Sequence, residues 1–135
     1  EVAMVRAHTA EPPAAASVTT VADLTTLQLL ARRIHVDEDL YEYAVSLGTF
    51  TRSHPRVVLG ASPRATLALV QAAKAAALLG GRAFVTPDDV RGVAVAVLAH
   101  RLVLAPEIEG DARAREALIE EAIQRVGYRR AVRPV

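Results

Sequence analysis

The run Pro63–Leu79 constrains this chain most. Only Arg64, Thr66, Gln71 and Lys74 are polar in it. Ser62 before it is a good helix N-cap, and Pro63 suits the first helical position. Gly80-Gly81 after it is a helix stop. A helix that is apolar around most of its circumference has to lie in the middle of a bundle. The rest of the chain agrees. Alanine supplies 27 of the 135 residues, against five aromatic rings. Alanine is the strongest helix former, whereas sheets draw on aromatic and β-branched residues. The expected fold is therefore all-α: a small bundle of about four to five main helices, with at most a short extended connector near 82–86.

Other helices read from their caps and stripes. Thr20, with Asp23 three residues on, starts a helix to about Arg33, striped by Leu24, Leu27, Leu30, Ala31 and Ile34. Asp37 is placed to cap a helix to about Arg52, with Leu40, Tyr43, Ala44 and Leu47 on one face. Ser53-His54-Pro55 ends it. Thr86-Pro87-Asp88-Asp89 opens a helix with Val90, Val93, Ala94, Val97 and Leu98 inward. A last helix covers about 111–126, with Leu118, Ile119, Ala122, Ile123 and Val126 inward and a Glu121–Arg125 pair outside. Three regions follow: 1–19, the end of an upstream helix plus a Pro/Ala linker; 20–126, the helical domain; and 127–135, a basic, fraying tail. Glu1 opens on what reads as the end of a helix, so the sequence reads as part of a longer protein.

Much chemistry is excluded. The net charge of +1 offers no basic footprint for nucleic acid. Without cysteine there is neither a disulfide framework nor a thiolate metal site. His8, His35, His54 and His100 form no i, i+3 or i, i+4 pair, so no metal site is expected. None of the glycines begins a phosphate-binding P-loop, and there is no nucleophile elbow. No apolar run reaches the ~20 residues of a membrane span. The chain alone is not expected to be a catalyst.

Four landmarks, in order, carry a resemblance: Thr51-Arg52-Ser53-His54-Pro55; Gly60-Ala61-Ser62-Pro63-Arg64-Ala65; Gly81-Arg82-Ala83-Phe84-Val85-Thr86-Pro87-Asp88-Asp89-Val90; and Val97-Leu98-Ala99-His100-Arg101-Leu102. Together they resemble the C-terminal helical lid of MoxR-type AAA+ ATPases, over roughly Leu24 to Leu104. The second landmark resembles the family's second-sensor motif. The resemblance implies a lid closing over ATP, with its Mg2+, held by a separate core; no cofactor is expected for this chain by itself. It implies that Arg64 points at the phosphates, beside Ser62 and Pro63, and that Tyr43 is a candidate for the adenine pocket. It implies an ATP-hydrolysing, chaperone-like parent in the cytoplasm. Its partners would be its own core, neighbouring ring subunits and a von Willebrand factor A protein.

The residues weigh these roles differently. A guanidinium is permanently charged and forked to match phosphate oxygens. A cation in the first turn also opposes the helix dipole, and such a local conflict points to function. Ser62 and Pro63 are better explained as capping residues than as ligands, and an aromatic at Tyr43's helical spacing is more often core. Gln71 lies two turns beyond Arg64 and either borders the same site or is simply solvated. His100-Arg101 suits a helix C-terminus electrostatically and could also meet a neighbouring subunit. His54 reads as a loop residue. The alternative function is a free-standing helical interaction or dimerisation module, histone-fold-like, without nucleotide.

Overall fold

The computed structural model describes residues 1–9 and 16–129. The greater part of the expected linker and tail, 10–15 and 130–135, lies outside the described residues. The elements are α1 (Val2–Thr9), α2 (Val21–Arg33), α3 (Glu38–Ser53), β1 (Val57–Leu59), α4 (Pro63–Leu79), α5 (Pro87–Leu98), β2 (Val103–Leu104) and α6 (Ala114–Val126). A 3-10 turn, Ala99–Arg101, joins α5 to β2. The architecture is the expected all-α bundle.

The start signals act as their chemistry dictates. At α2 the Thr20 hydroxyl accepts the Asp23 N–H, and the Asp23 carboxylate accepts the Thr20 N–H, both at 3.1 Å. Thr86 and Asp89 make the same reciprocal pair at α5. Asp37 differs. It occupies the N-cap position of α3, but its side chain makes no capping bond. Its Oδ1 lies 2.9 Å from His35 Nε2 instead.

As the apolar run requires, α4 is central and packs against α2, α3 and α5. Ala65, Leu69, Ala73 and Ala77 are fully buried along its inner face. Alanines here let neighbouring helices approach closely. Leu40, Tyr43, Ala44 and Leu47 of α3 close one side. Val90, Ala94 and Leu98 of α5 close another, with Leu118, Ile119 and Ala122 of α6 beyond them.

Two expectations are corrected. The apolar stripe of α2 is buried only at its end: Ile34, just past the helix, joins the core, but no residue within the helix is buried, and Leu24 and Leu27 are 50% and 41% exposed. Periodicity reports that a helix has an apolar face, not that this chain supplies its cover. The extended structure is also more than a connector near 82–86. There, Phe84 forms only an isolated parallel bridge with His35. The sheet proper is an antiparallel ribbon of β1 and β2, pairing Val57 with Leu104 and Leu59 with Val103. At the C-terminal end, α6 begins at Ala114 rather than 111, and Tyr128 beyond it packs edge-on to Tyr43, centroids 5.9 Å apart.

Candidate lid site at the start of α4

The loop between β1 and α4 is held from both sides. On one side, β1 pairs with β2. On the other, the C-terminal turns of α3 grip Ala61. The Ala61 N–H donates to Thr51 Oγ1 at 2.9 Å, and the Ala61 carbonyl accepts from Arg52 Nη1 at 2.6 Å. The Thr51 hydroxyl in turn donates to the Gly48 carbonyl at 2.7 Å. Thr51 and Ala61 are both fully buried. A buried N–H left without a partner costs about 1–3 kcal/mol, so this hydroxyl stabilises the loop well beyond its size. Arg52 Nη2 also donates to Thr49 Oγ1 at 2.9 Å, which orients the guanidinium plane.

Two glycines allow this contact. A Cβ on Gly60 would lie 2.6–2.8 Å from the backbone of Thr51 and Arg52. A Cβ on Gly48 would lie 2.7 Å from Thr66 Oγ1, in the first turns of α4. Both positions need the side chain absent for α3 and the start of α4 to touch.

From this anchor α4 begins. Ser62 Oγ accepts the Ala65 N–H at 3.3 Å, and Pro63 occupies the first turn. Ser62 and Pro63 thus act as capping residues here. Arg64 follows with an exposed side chain. Among the described residues it has no hydrogen-bond or ion-pair partner, so its guanidinium is uncommitted. Leu67, one turn on and on the same face, is 58% exposed.

Other residues considered from sequence lie elsewhere. Tyr43 is 3% exposed, in contact with Tyr128 and beneath Arg91. Arg91 Nε reaches Tyr43 Oη at 3.4 Å, and that contact, followed by Asp88, raises the Arg91 pKa. Tyr43 therefore offers no free ring face to a nucleotide in this structure. Gln71 joins Gln28, Arg32, Tyr41 and Lys74 in an open groove of about 530 Å3 between α2, α3 and α4, which Arg64 does not line. There Lys74 Nζ donates to the Arg32 carbonyl at the end of α2. His100 Nδ1 meets the Ala96 carbonyl and Arg101 Nε donates to the Val97 carbonyl, both at 3.0 Å. Both side chains thus cap the C-terminus of α5.

His54 is not a free loop residue. Its side chain is 8% exposed, lies tilted against Phe50 with ring centroids 5.5 Å apart, and is 3.6 Å from Glu121. Glu121 also pairs with Arg56 and with Arg125, so α6 is tied to the α3–β1 connection. The sequence singled out the Arg125 pair alone, since the other two partners are far away along the chain.

Comparison with known proteins accords with this arrangement. The AAA lid domain family model matches residues 49–123, which includes the anchor, the α4 start and α5. Uncharacterized protein YeaC of Bacillus subtilis is 39% identical over 104 residues, 77% of this chain and 32% of its own length. Chaperone MoxR1 of Mycobacterium tuberculosis is 36% identical over 124 residues, 85% of this chain and 33% of its own. Protein MoxR of Paracoccus denitrificans is 48% identical over 64 residues, 47% of this chain and 18% of its own. A crystal structure of a candidate ATPase from Cytophaga hutchinsonii superposes with a TM-score of 0.74 at 26% identity, covering 81% of this chain and 36% of that one. The chain thus spans about a third of the length of the first two relatives. With that family match over the site just described, the chain belongs to the AAA lid domain family, in its MoxR type.

Proposed function

We propose that this chain is the nucleotide-sensing lid of a ring-forming, chaperone-like ATPase of the cytoplasm. ATP and Mg2+ are held by a core domain outside these residues, and the lid closes over them. Arg64 reads the γ-phosphate. Its permanent charge and forked donors favour the charge that develops on the transferring phosphoryl group. The helical bundle then moves as a unit between ATP and ADP states. It does so only because it binds the two states with different strength. Its contacts are with its own core and with the neighbouring subunit, and a von Willebrand factor A protein is the further partner proposed.

One observation carries this reading: an exposed guanidinium without a partner among the described residues, in the first turn of a helix whose leading loop is pinned. A surface arginine with only a solubilising role needs no such support. Leu67 beside it and Leu59 at the end of β1 are exposed apolar residues, as a face that closes onto another domain requires.

The test is Arg64→Ala in the full-length ATPase. Turnover should fall about 100-fold or more, the scale of losing one charge-stabilising group in a transition state. Unfolding of the lid should be unchanged, because the side chain touches nothing that holds the bundle. Wild-type steady-state ATPase activity in that variant would end the assignment.

A further inference from the structure

We propose that Thr51 and Arg52 are positioning residues for Arg64: by gripping both backbone polar groups of Ala61, they set where the first turn of α4 presents its guanidinium. The inference rests on the sensor reading of Arg64 and adds to it a mechanism of placement.

Buried backbone polar groups are paired as a rule. Both of those of Ala61 are taken by side chains of adjacent residues on one helix: its N–H by Thr51 Oγ1 and its carbonyl by Arg52 Nη1. Two bonds on opposite edges of one residue fix its rotation as well as its position. The backbone of Gly60 rests directly on the backbone of Thr51 and Arg52, so the loop cannot slide toward α3. Thr66 rests on Gly48, so the first turns of α4 are seated on α3 as well. From Ala61 the chain enters α4 through the Ser62 cap and Pro63, both conformationally restricted. Arg64 is therefore three residues from a fixed point along a stiff path. The side chain itself is unconstrained, and its base is not. A long cation aimed at a phosphate loses effect when its base moves by about 1 Å. Neither Thr51 nor Arg52 needs to touch nucleotide in this scheme.

The test uses the full-length ATPase. Thr51→Val keeps the shape of the buried side chain and removes its hydroxyl. Thr51→Ser keeps the hydroxyl. Arg52→Met removes the donor to the Ala61 carbonyl from an exposed position, so it preserves the test if Thr51→Val does not fold. Thr51→Val and Arg52→Met should each lower kcat about tenfold. Thr51→Ser should restore it to within about twofold of wild type, because the hydroxyl is what grips Ala61. In an Arg64→Ala background, Thr51→Val or Arg52→Met should cost nothing further, since the group they position is gone.

The outcomes separate the two ideas. Loss of turnover in Arg64→Ala with wild-type kcat in both Thr51→Val and Arg52→Met overturns the positioning role and leaves the sensor reading standing. Full loss from Arg52→Met persisting in the Arg64→Ala background also overturns it, because the effect would then be general weakening of the lid. Normal turnover in Arg64→Ala removes the sensor reading, and the positioning role with it.

Discussion

Asp89 joins two stretches of the chain within a single carboxylate. Its oxygens accept from the Arg82 guanidinium, including Nη2 at 2.7 Å, and from the N–H and hydroxyl of Thr86, each at 2.8 Å. The bond from Arg82 is the main reason its pKa falls from 3.8 to about 2, with the Thr86 bonds adding to it against the opposing effect of burial. The sign follows from linkage. The folded state holds this proton more weakly than the unfolded state, so the stabilisation is present above about pH 4. It is lost as pH falls through about 2, and amounts to about 2 kcal/mol. Asp89→Asn should lower the urea midpoint at pH 7. The gap from wild type should narrow steadily between pH 4 and pH 2, as followed by helical circular dichroism. A gap independent of pH would mean that the carboxylate charge is not what holds this connection. The sequence placed Asp89 only among the acids of the α5 start; its bonds to Thr86 and Arg82 became visible in the folded chain.

At the scale of the element, α2 and α4 share two sequence signals and behave differently. Both have sound caps and an apolar stripe. The stripe of α4 is enclosed by three other helices, and the leucines of the α2 stripe are exposed. Their energetics should separate accordingly. In this chain, Leu69→Ala should cost about 2–5 kcal/mol, the range for a fully buried leucine. Leu24→Gln should stay within about 0.5 kcal/mol of wild type. Chemical denaturation of the purified domain measures both. Equal losses would show that α2 is packed more tightly than its exposure indicates. The ribbon of β1 and β2 shows the opposite limit of sequence reading. Strands of three and two residues are too short for an alternating pattern to register. The valines of 57–58 and 103 carried no more signal than those inside helices.

At the scale of the molecule, the lid on the proposed reading supplies one charged group to a site that needs many. A single exposed guanidinium makes too few contacts to overcome the cost of immobilising a nucleotide. The isolated chain should therefore show no saturable ATP binding up to about 1 mM by calorimetry, equivalent to less than about 4 kcal/mol of binding free energy. The same titration with the full-length protein should saturate, and Arg64→Ala should alter its turnover. Tight binding by the isolated chain would require a second, unrecognised set of phosphate contacts within these residues.

What the sequence determined by itself was local. Caps, proline and glycine stops, and apolar spacing act over three or four residues, so the helices and the inner faces of α3, α4 and α5 were legible. The motif around Arg64 is contiguous, so the sequence could single that residue out as a candidate. The tertiary structure decided everything that depends on distant residues meeting. It buried Tyr43 against Tyr128, tied Glu121 to His54 and Arg56, paired β1 with β2, and left the leucines of the α2 stripe exposed. It also placed Thr51 and Arg52 on either edge of Ala61. The physical reason is the same in each case. A hydrogen bond or a packed face is completed by its partner, and periodicity along one segment carries no record of which partner arrives.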